Sequence, residues 1–412
     1  MTHILMIGFS AVFLRGIDGK VPPASITVLE EPDIIRGGDL ARKAEALGCV
    51  AALVPATYHQ GGDHVAVAED LHARVPVTAV VPGLEYGVVA AAAIAERLGL
   101  PGASPRAAAT LRDKSALREV TAAAGVRNPR WREIRSAADI VEFAGAGPVV
   151  VKPADRQGSV GVQLLDAVDP DIARQAWQAV VGADEPGKIP DRPMRWRYLA
   201  EERLTGAEFS AEALVSGGSV VFLNITEKFV IPGRHPVEAG HLLPAALGDD
   251  EQAEFDKGMR MLVAATGFDT GILHAEWMRT EQGLTLIECA GRCPGDRITD
   301  LIDQAYGTSL RNCLIDLLSG RPAQLPGPAG ETVTIQFLAA EPGVVEDVHG
   351  VEEARALPGV GAVHVSAGPG DTARAWSSSW DRSGFVVASG AGRAEALGRA
   401  EAARAAIRIE TR

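Results

Sequence analysis

Glu276 and Glu288 lie in the stretch GILHAEWMRTEQGLTLIECAGRCPGDRITDLID (271–303), where their spacing could hold a cation. GILHAEWM and LTLIECA read as two short strands, and the polar TEQG between them, closed by glycine, suits a tight hairpin. With Glu281, Gln282 and Gly283 as the loop, Glu276 falls opposite Glu288. Directly opposed residues have Cβ atoms about 4.5–5.5 Å apart, and like charges there destabilise a sheet. Such a pair either flanks a cation or, on a surface hairpin, is simply solvated. The apolar neighbours Ile272, Leu273, Leu286 and Ile287 favour a buried hairpin and so the cation. A register slip of one residue would put the two side chains on opposite faces. An all-oxygen pair suits Mg²⁺ or Mn²⁺ with substrate phosphates completing the shell. Arg292, just past the second strand, suits a clamp on phosphate or carboxylate.

A second candidate is GPVVVKPADRQGSVGVQLL (147–165), a buried strand ending at Lys152, a loop with Gly158, Ser159 and Gly161, and a further strand. Such a loop can fold over phosphates with its backbone N–H groups, or it can be an ordinary hairpin connection. Only seven of the 40 basic residues are Lys, which draws attention to each; Lys114, taken alone, reads as a surface lysine. Residues 197–224 give three strands joined by a Thr-Gly and a Gly-Gly turn, with Glu201 and Glu208 bracketing the first turn. Neither a dinucleotide-binding Gly-x-Gly-x-x-Gly at a helix start nor a Gly-x-x-x-x-Gly-Lys-Ser/Thr occurs.

The elements that must position these groups start with the apolar runs 3–9, 25–32, 49–56 and 77–83. They alternate with helical segments at 40–47, 65–73 and 86–98, the pattern of parallel βαβ units in a doubly wound sheet. Glu30, Glu31 and Glu85 sit at carboxyl ends of these strands, where such sheets bind ligands; as loop residues they are expected to be solvated. A helix is expected over 105–124, ended by Gly125 and Pro129. The Pro/Gly-rich 322–330 reads as a linker. Beyond it, strand-like segments and a helix over 393–407 make a small α+β unit; Trp376 and Trp380 either reach the active site or pack its core, and the core is the expectation.

At 412 residues, with 47% hydrophobic and 23% charged residues, the chain has the size of two or three domains and an ordinary globular composition. No apolar run is long enough to span a membrane, and the first residues enter a strand-like run with no basic leader, so a signal peptide is not expected. The net charge of −13 argues against nucleic acid or an anionic membrane as partner. The four cysteines lack a CxxC pair and read as reduced thiols, which points to a cytoplasmic location.

Taken in order, DK (113–114), VVVKP (149–153), QGSVGV (157–162), EERLTGAEFS (201–210), Glu276 with Glu288, and Arg292 resemble the ATP-grasp superfamily of carboxylate–amine ligases, over roughly residues 1–320. The resemblance implies an ATP-grasp fold of mixed α/β and α+β class. It divides the chain into a Rossmann-like domain (1–104), two lobes that clasp ATP (105–200 and 201–321) and a small C-terminal α+β domain (322–412). It also implies roles. Lys114 and Lys152 would contact phosphates under the loop of Gly158, Ser159 and Gly161. Glu201 and the backbone of Glu202 to Leu204 would hold adenine, Glu208 the ribose, and Glu276 and Glu288 would carry Mg²⁺ or Mn²⁺. Many members have an Asn two residues after the second Glu; here it is Ala290. Glu-x-Ala-x-Arg is instead similar to the L-amino acid ligase branch, which forms dipeptides. By that likeness Arg292 and Gly295 would bind the acyl phosphate, and Glu227, Lys228 and His241, in the stretch 225–247, would lie near the carboxylate substrate. His241 could equally be a structural loop residue.

The expected activity is ATP-dependent amide formation through an acyl phosphate, from small-molecule carboxylate and amine substrates, in a possible homodimer. Two other readings stay open: activation of bicarbonate or formate, as in biotin-carboxylase-like or purine-pathway ligases, and a non-catalytic ATP-binding regulator, which Ala290 would suit.

Overall fold

Ile4–Ile7 is apolar at every position and fully buried, as a strand covered on both faces requires. In the computed structural model, which describes residues 3–145, 147–185, 187–231 and 236–412, this strand is central to a four-stranded parallel sheet. Ile26–Glu30 and Ala79–Pro82 flank it, and Val50–Pro55 lies at the edge. One face packs through Leu5, Ile7 and Val80 onto Ala91 and Ile94 of the helix Val88–Leu98. The other packs through Ile4, Met6 and Val28 onto the helices Ala11–Ile17 and Leu310–Leu318. The doubly wound N-terminal sheet read from the sequence is present.

The helix expected over 105–124 is two helices, Pro105–Arg112 and Lys114–Ala123. Asp113 breaks it: its backbone is extended, and its carboxylate accepts from the amides of Ser115 and Ala116. Asp competes in this way for backbone donors and so favours a cap over a helix interior. The break starts the second helix at Lys114, whose amide bonds to the carbonyl of Ala154 at 2.9 Å.

Trp131–Ile134, Tyr198–Glu202, Val149–Pro153 and Gln163–Leu165 form a four-stranded antiparallel sheet in that order. Helices Ala137–Ala144 and Pro170–Val181 cover it through Ile140, Phe143, Ala176 and Val180. The glycine loop joins its last two strands.

An eight-stranded sheet carries the rest. It begins with the hairpin Gly271–Thr280/Gly283–Ala290 and continues through Ala207–Ser216, Ser219–Val230 and Glu238–Leu243. Thr332–Leu338, Gly384–Gly390 and Val360–Val365 then extend it. The strands after the 322–330 linker therefore join the same sheet as those before it. The face of the early strands is covered by the helix Asp249–Thr266, which seats Phe255, Met259 and Leu262 against Trp277 and Leu286.

The hairpin pairs Glu276 with Glu288 as expected, but by another route. Thr280 pairs with Gly283, so the turn has two central residues, Glu281 and Gln282. A bulge next to Glu276 and Trp277 then restores the expected partners.

Candidate active site

A cavity of about 990 Å³ opens between the two later sheets and the N-terminal sheet. Lys114, Lys152, Gly158, Ser159, Glu201, Glu202, Leu204 and Glu208 line it, as do Lys228, His241, Glu276, Glu288, Arg292 and Gly295. Two expected residues do not. Gly161 packs behind the loop, where an added Cβ would come within 2.9 Å of Ala183, and its φ of +76° suits glycine. Glu227 points away from the cavity, because strand alternation puts it on the face opposite Lys228; it pairs with Arg393 at 2.7 Å. Of the stretch 225–247 expected near the carboxylate substrate, residues 232–235 lie outside the described residues.

At one end, Val150, Leu164, Leu204, Met278 and Ile287 form an apolar slot. Below it Glu201 is buried and holds two cations, Lys152 at 2.6 Å and Arg118 at 3.1 Å. Burial alone would raise its carboxyl, but Arg118 and Lys152 outweigh that and hold it below the usual range. The carboxylate is thus committed to fixing Lys152 at the end of its strand. Lys114 reaches from the other side, bonding the Arg156 carbonyl at 3.0 Å and Glu288 at 3.1 Å. It is largely buried, not the surface lysine its surroundings suggested.

Glu276, opposite Glu288, meets Lys228 at 2.8 Å and His274 at 3.5 Å. Behind it His274 bonds Glu212 at 3.0 Å, and Glu212 also accepts from Ser210, Asn224 and Thr226. Burial disfavours charge on His274, but its bonds to Glu212 and Glu276 prevail and raise it to about 9. Lys228 is likewise buried, yet Glu276, Glu238 and Glu208 raise it well above its ordinary value. The like-charge cost of the opposed glutamates is thus met by a separate lysine on each. Among the described residues no group of three or more His, Cys, Asp or Glu side chains is placed to hold a metal ion unaided.

The loop after the hairpin brings Arg292 against Glu85, Nε to Oε2 at 2.6 Å. Arg112 bonds the other oxygen of Glu85 at 3.0 Å. Glu85 was expected in solvent, yet it is only 6% exposed; burial would raise it, but Arg292 and Arg112 keep it ionised. Glu30 and Glu31 are buried too. Glu30 accepts from the Phe9 amide and the Tyr58 hydroxyl, while Glu31 pairs with Arg192. Further residues escaped the sequence reading. His241 bonds Asp296 at 2.9 Å, and Arg382, from beyond the linker, bonds both Asp296 and Glu238 at 2.8 Å. Trp380, expected in a core, is 73% exposed in the cavity wall. No motif spacing marks these residues, because their partners lie 55 to 207 positions away in the chain.

Residues 146–300 match the ATP-grasp domain model, and residues 336–412 match the model of the L-amino acid ligase C-terminal domain 2. Residues 146–300 thus belong to the ATP-grasp domain family. The C-terminal match is to a domain of L-amino acid ligases, and the solved structures share the fold of this chain. The crystal structure of L-amino acid ligase from Bacillus licheniformis superposes with a TM-score of 0.79 at 18% identity, over 100% of this chain and 99% of that one. A protein of Sinorhizobium fredii named y4rH, itself uncharacterized, is 30% identical over 72% of this chain and 60% of its own length. The alanine–anticapsin ligase of Bacillus subtilis is 25% identical over 66% of this chain and 59% of its own length. The matches thus span about 60% of the length of these curated relatives.

Proposed function

We propose that the chain is a carboxylate–amine ligase that forms an amide from an amino acid and an amine, at the expense of ATP hydrolysed to ADP and phosphate. The observation that carries this is the opposed pair Glu276 and Glu288, each matched by a lysine, at the meeting of an apolar slot, a glycine loop and Arg292. In this reading residues 1–104, 105–321 and 322–412 are the N-terminal, ATP-clasping and C-terminal parts.

Adenine would lie in the slot against Leu204 and the backbone from Glu202, with Glu208 toward the ribose. Lys152, held by Glu201, and Lys114 would face the phosphates beneath Gly158 and Ser159. The donor set fits Mg²⁺ or Mn²⁺: two carboxylates are what such an ion takes when nucleotide phosphates and water complete its shell, and Ala290 offers no further ligand. Bound there, the ion would offset negative charge on the transferring phosphoryl group. Lys114 and Lys228, freed from Glu288 and Glu276, would then face that charge and the substrate carboxylate.

Chemically, a carboxylate oxygen attacks the γ-phosphorus and ADP leaves; the amine then attacks the acyl carbon, and phosphate and a proton leave. Arg292, oriented by Glu85, and the backbone at Gly295 would hold the acyl phosphate. His241, anchored by Asp296, would border the carboxylate substrate. Positioning and electrostatic stabilisation account for most of such catalysis. The chemistry of the site needs no thiol, and burial pushes the thiols of Cys289 and Cys293 up.

Small-molecule partners and a cytoplasmic setting belong to the same reading, supported by the net charge of −13 and four free cysteines. No helix of the described residues is long and apolar enough to cross a membrane. The test is Glu288→Gln. Substrate-dependent ADP formation should fall at least about 100-fold, while full retention would remove Glu288 from the site.

A further inference from the structure

Trp380 is a large apolar side chain left in the open, in the wall of the cavity. Its placement is not loose. It sits on a short turn, Ser379–Asp381, whose start is capped by Ser378 accepting from the Trp380 amide. Asp381 accepts from the Ser377 and Ser378 amides at 2.9 Å each. The next residue, Arg382, stacks on Phe337 at 3.7 Å and bonds Asp296 and Glu238. A fixed indole of this kind offers contact area at small entropic cost when a ligand arrives.

Another part of the cavity wall is apolar as well. Val12, 46% exposed, projects from the helix Ala11–Ile17, whose Phe13, Leu14 and Ile17 are locked in the core. Leu84 stands beside Glu85, the residue that holds Arg292. The two parts are therefore tied to the same loop, one through Glu85 to Arg292 and the other through Arg382 to Asp296. Arg292 and Gly295 line the same cavity. Glu238 and Asp296, the carboxylates that Arg382 bonds, are each matched by a cation: Lys228 and Arg382 for the first, Arg382 for the second.

We propose that Trp380, with Val12 and Leu84 of the same cavity lining, forms the side-chain subsite for one amino-acid substrate and selects aromatic and branched aliphatic side chains over small or charged ones. This rests on the ligase reading given above and goes beyond it by assigning the substrate class and the residue that sets it. The sequence beyond the linker thereby contributes directly to specificity.

The test uses the full chain, Trp380→Ala and Trp380→Phe, with ATP, Mg²⁺ and an equimolar pool of Phe, Leu, Ala, Asp and Lys, the amides being quantified by mass. Wild type should incorporate Phe and Leu over Ala by about tenfold or more, the discrimination an apolar pocket of this kind provides. Trp380→Ala should flatten that ratio and Trp380→Phe should keep most of it. A parallel calorimetric titration of Phe and Leu into each protein, with a non-hydrolysable ATP analogue, reads binding without turnover. Binding of Phe that depends on Trp380 in a protein that makes no amide would sink the ligase reading and keep the subsite. An unchanged ratio and unchanged binding in Trp380→Ala, or a preference for Asp or Lys, would overturn the subsite. So would sedimentation showing that Trp380 holds two copies of the chain together with no effect on selection.

Discussion

Glu85 joins parts of the molecule that the sequence keeps far apart. Its carboxylate is buried between Arg292, 207 residues on, and Arg112. Removing one member of a buried ion cluster strands the others, at a cost of about 3–5 kcal/mol. Glu85→Gln should therefore lower kcat by about tenfold or more through a misplaced Arg292, with ATP binding kept; equal losses in ATP affinity and kcat would show a general collapse instead. Nothing in PGLEYG distinguishes this residue from a solvated loop glutamate. Glu276 and Glu288 were legible, because opposed carboxylates on apolar strands are costly enough to imply a cation. The loop used to align them was one residue too long, and the bulge beside Glu276 cancelled that error.

Within single elements, the large sheet buries two charged groups behind Glu276: Glu212 and His274. The folded state raises His274 from 6.5 to about 9. The stability from its charge is then fully present below about pH 6.5 and lost as pH rises through about 9, a span worth about 3 kcal/mol. Urea midpoints should fall between pH 6.5 and 9.5 in wild type and fall less in His274→Gln; parallel profiles would deny the charged histidine. The break at Asp113 belongs to the same scale. Periodicity alone ran one helix from 105 to 124, whereas the capping preference of Asp, plainly visible in RDKS, was the signal that could have ended it. Asp113→Ala should cost about 1 kcal/mol as a lost cap and raise the KM for ATP by displacing Lys114, read from thermal unfolding and steady-state kinetics.

Across the whole molecule, segment 187–197 ties the glycine-loop sheet to the N-terminal sheet. Arg192 pairs with Glu31, and Gln60 and Arg195 exchange two bonds at 2.6 and 3.0 Å. Nearby, Tyr86 bonds Glu185 at 2.8 Å. This mooring was illegible, since the segment is rich in Pro and Arg, follows no period, and its partners lie more than 130 residues away. Arg192→Ala should speed amide exchange in 187–197 and at Tyr58–His59 while leaving the large sheet protected; uniform exchange throughout would mean that the segment carries no such tie. The βαβ order, the glycine loop and the hairpin were readable because each is local. The cluster around Arg382 and the exposed position of Trp380 were not, because they depend on a sheet that continues across the linker.

The account stands most directly on the products of turnover. Purified protein incubated with ATP, Mg²⁺ and pooled amino acids should release ADP and phosphate in step with a condensed amide identified by mass, and Glu288→Gln should release neither. Release of AMP and pyrophosphate with the amide would contradict the acyl phosphate on which the roles of Glu276, Glu288 and Arg292 rest.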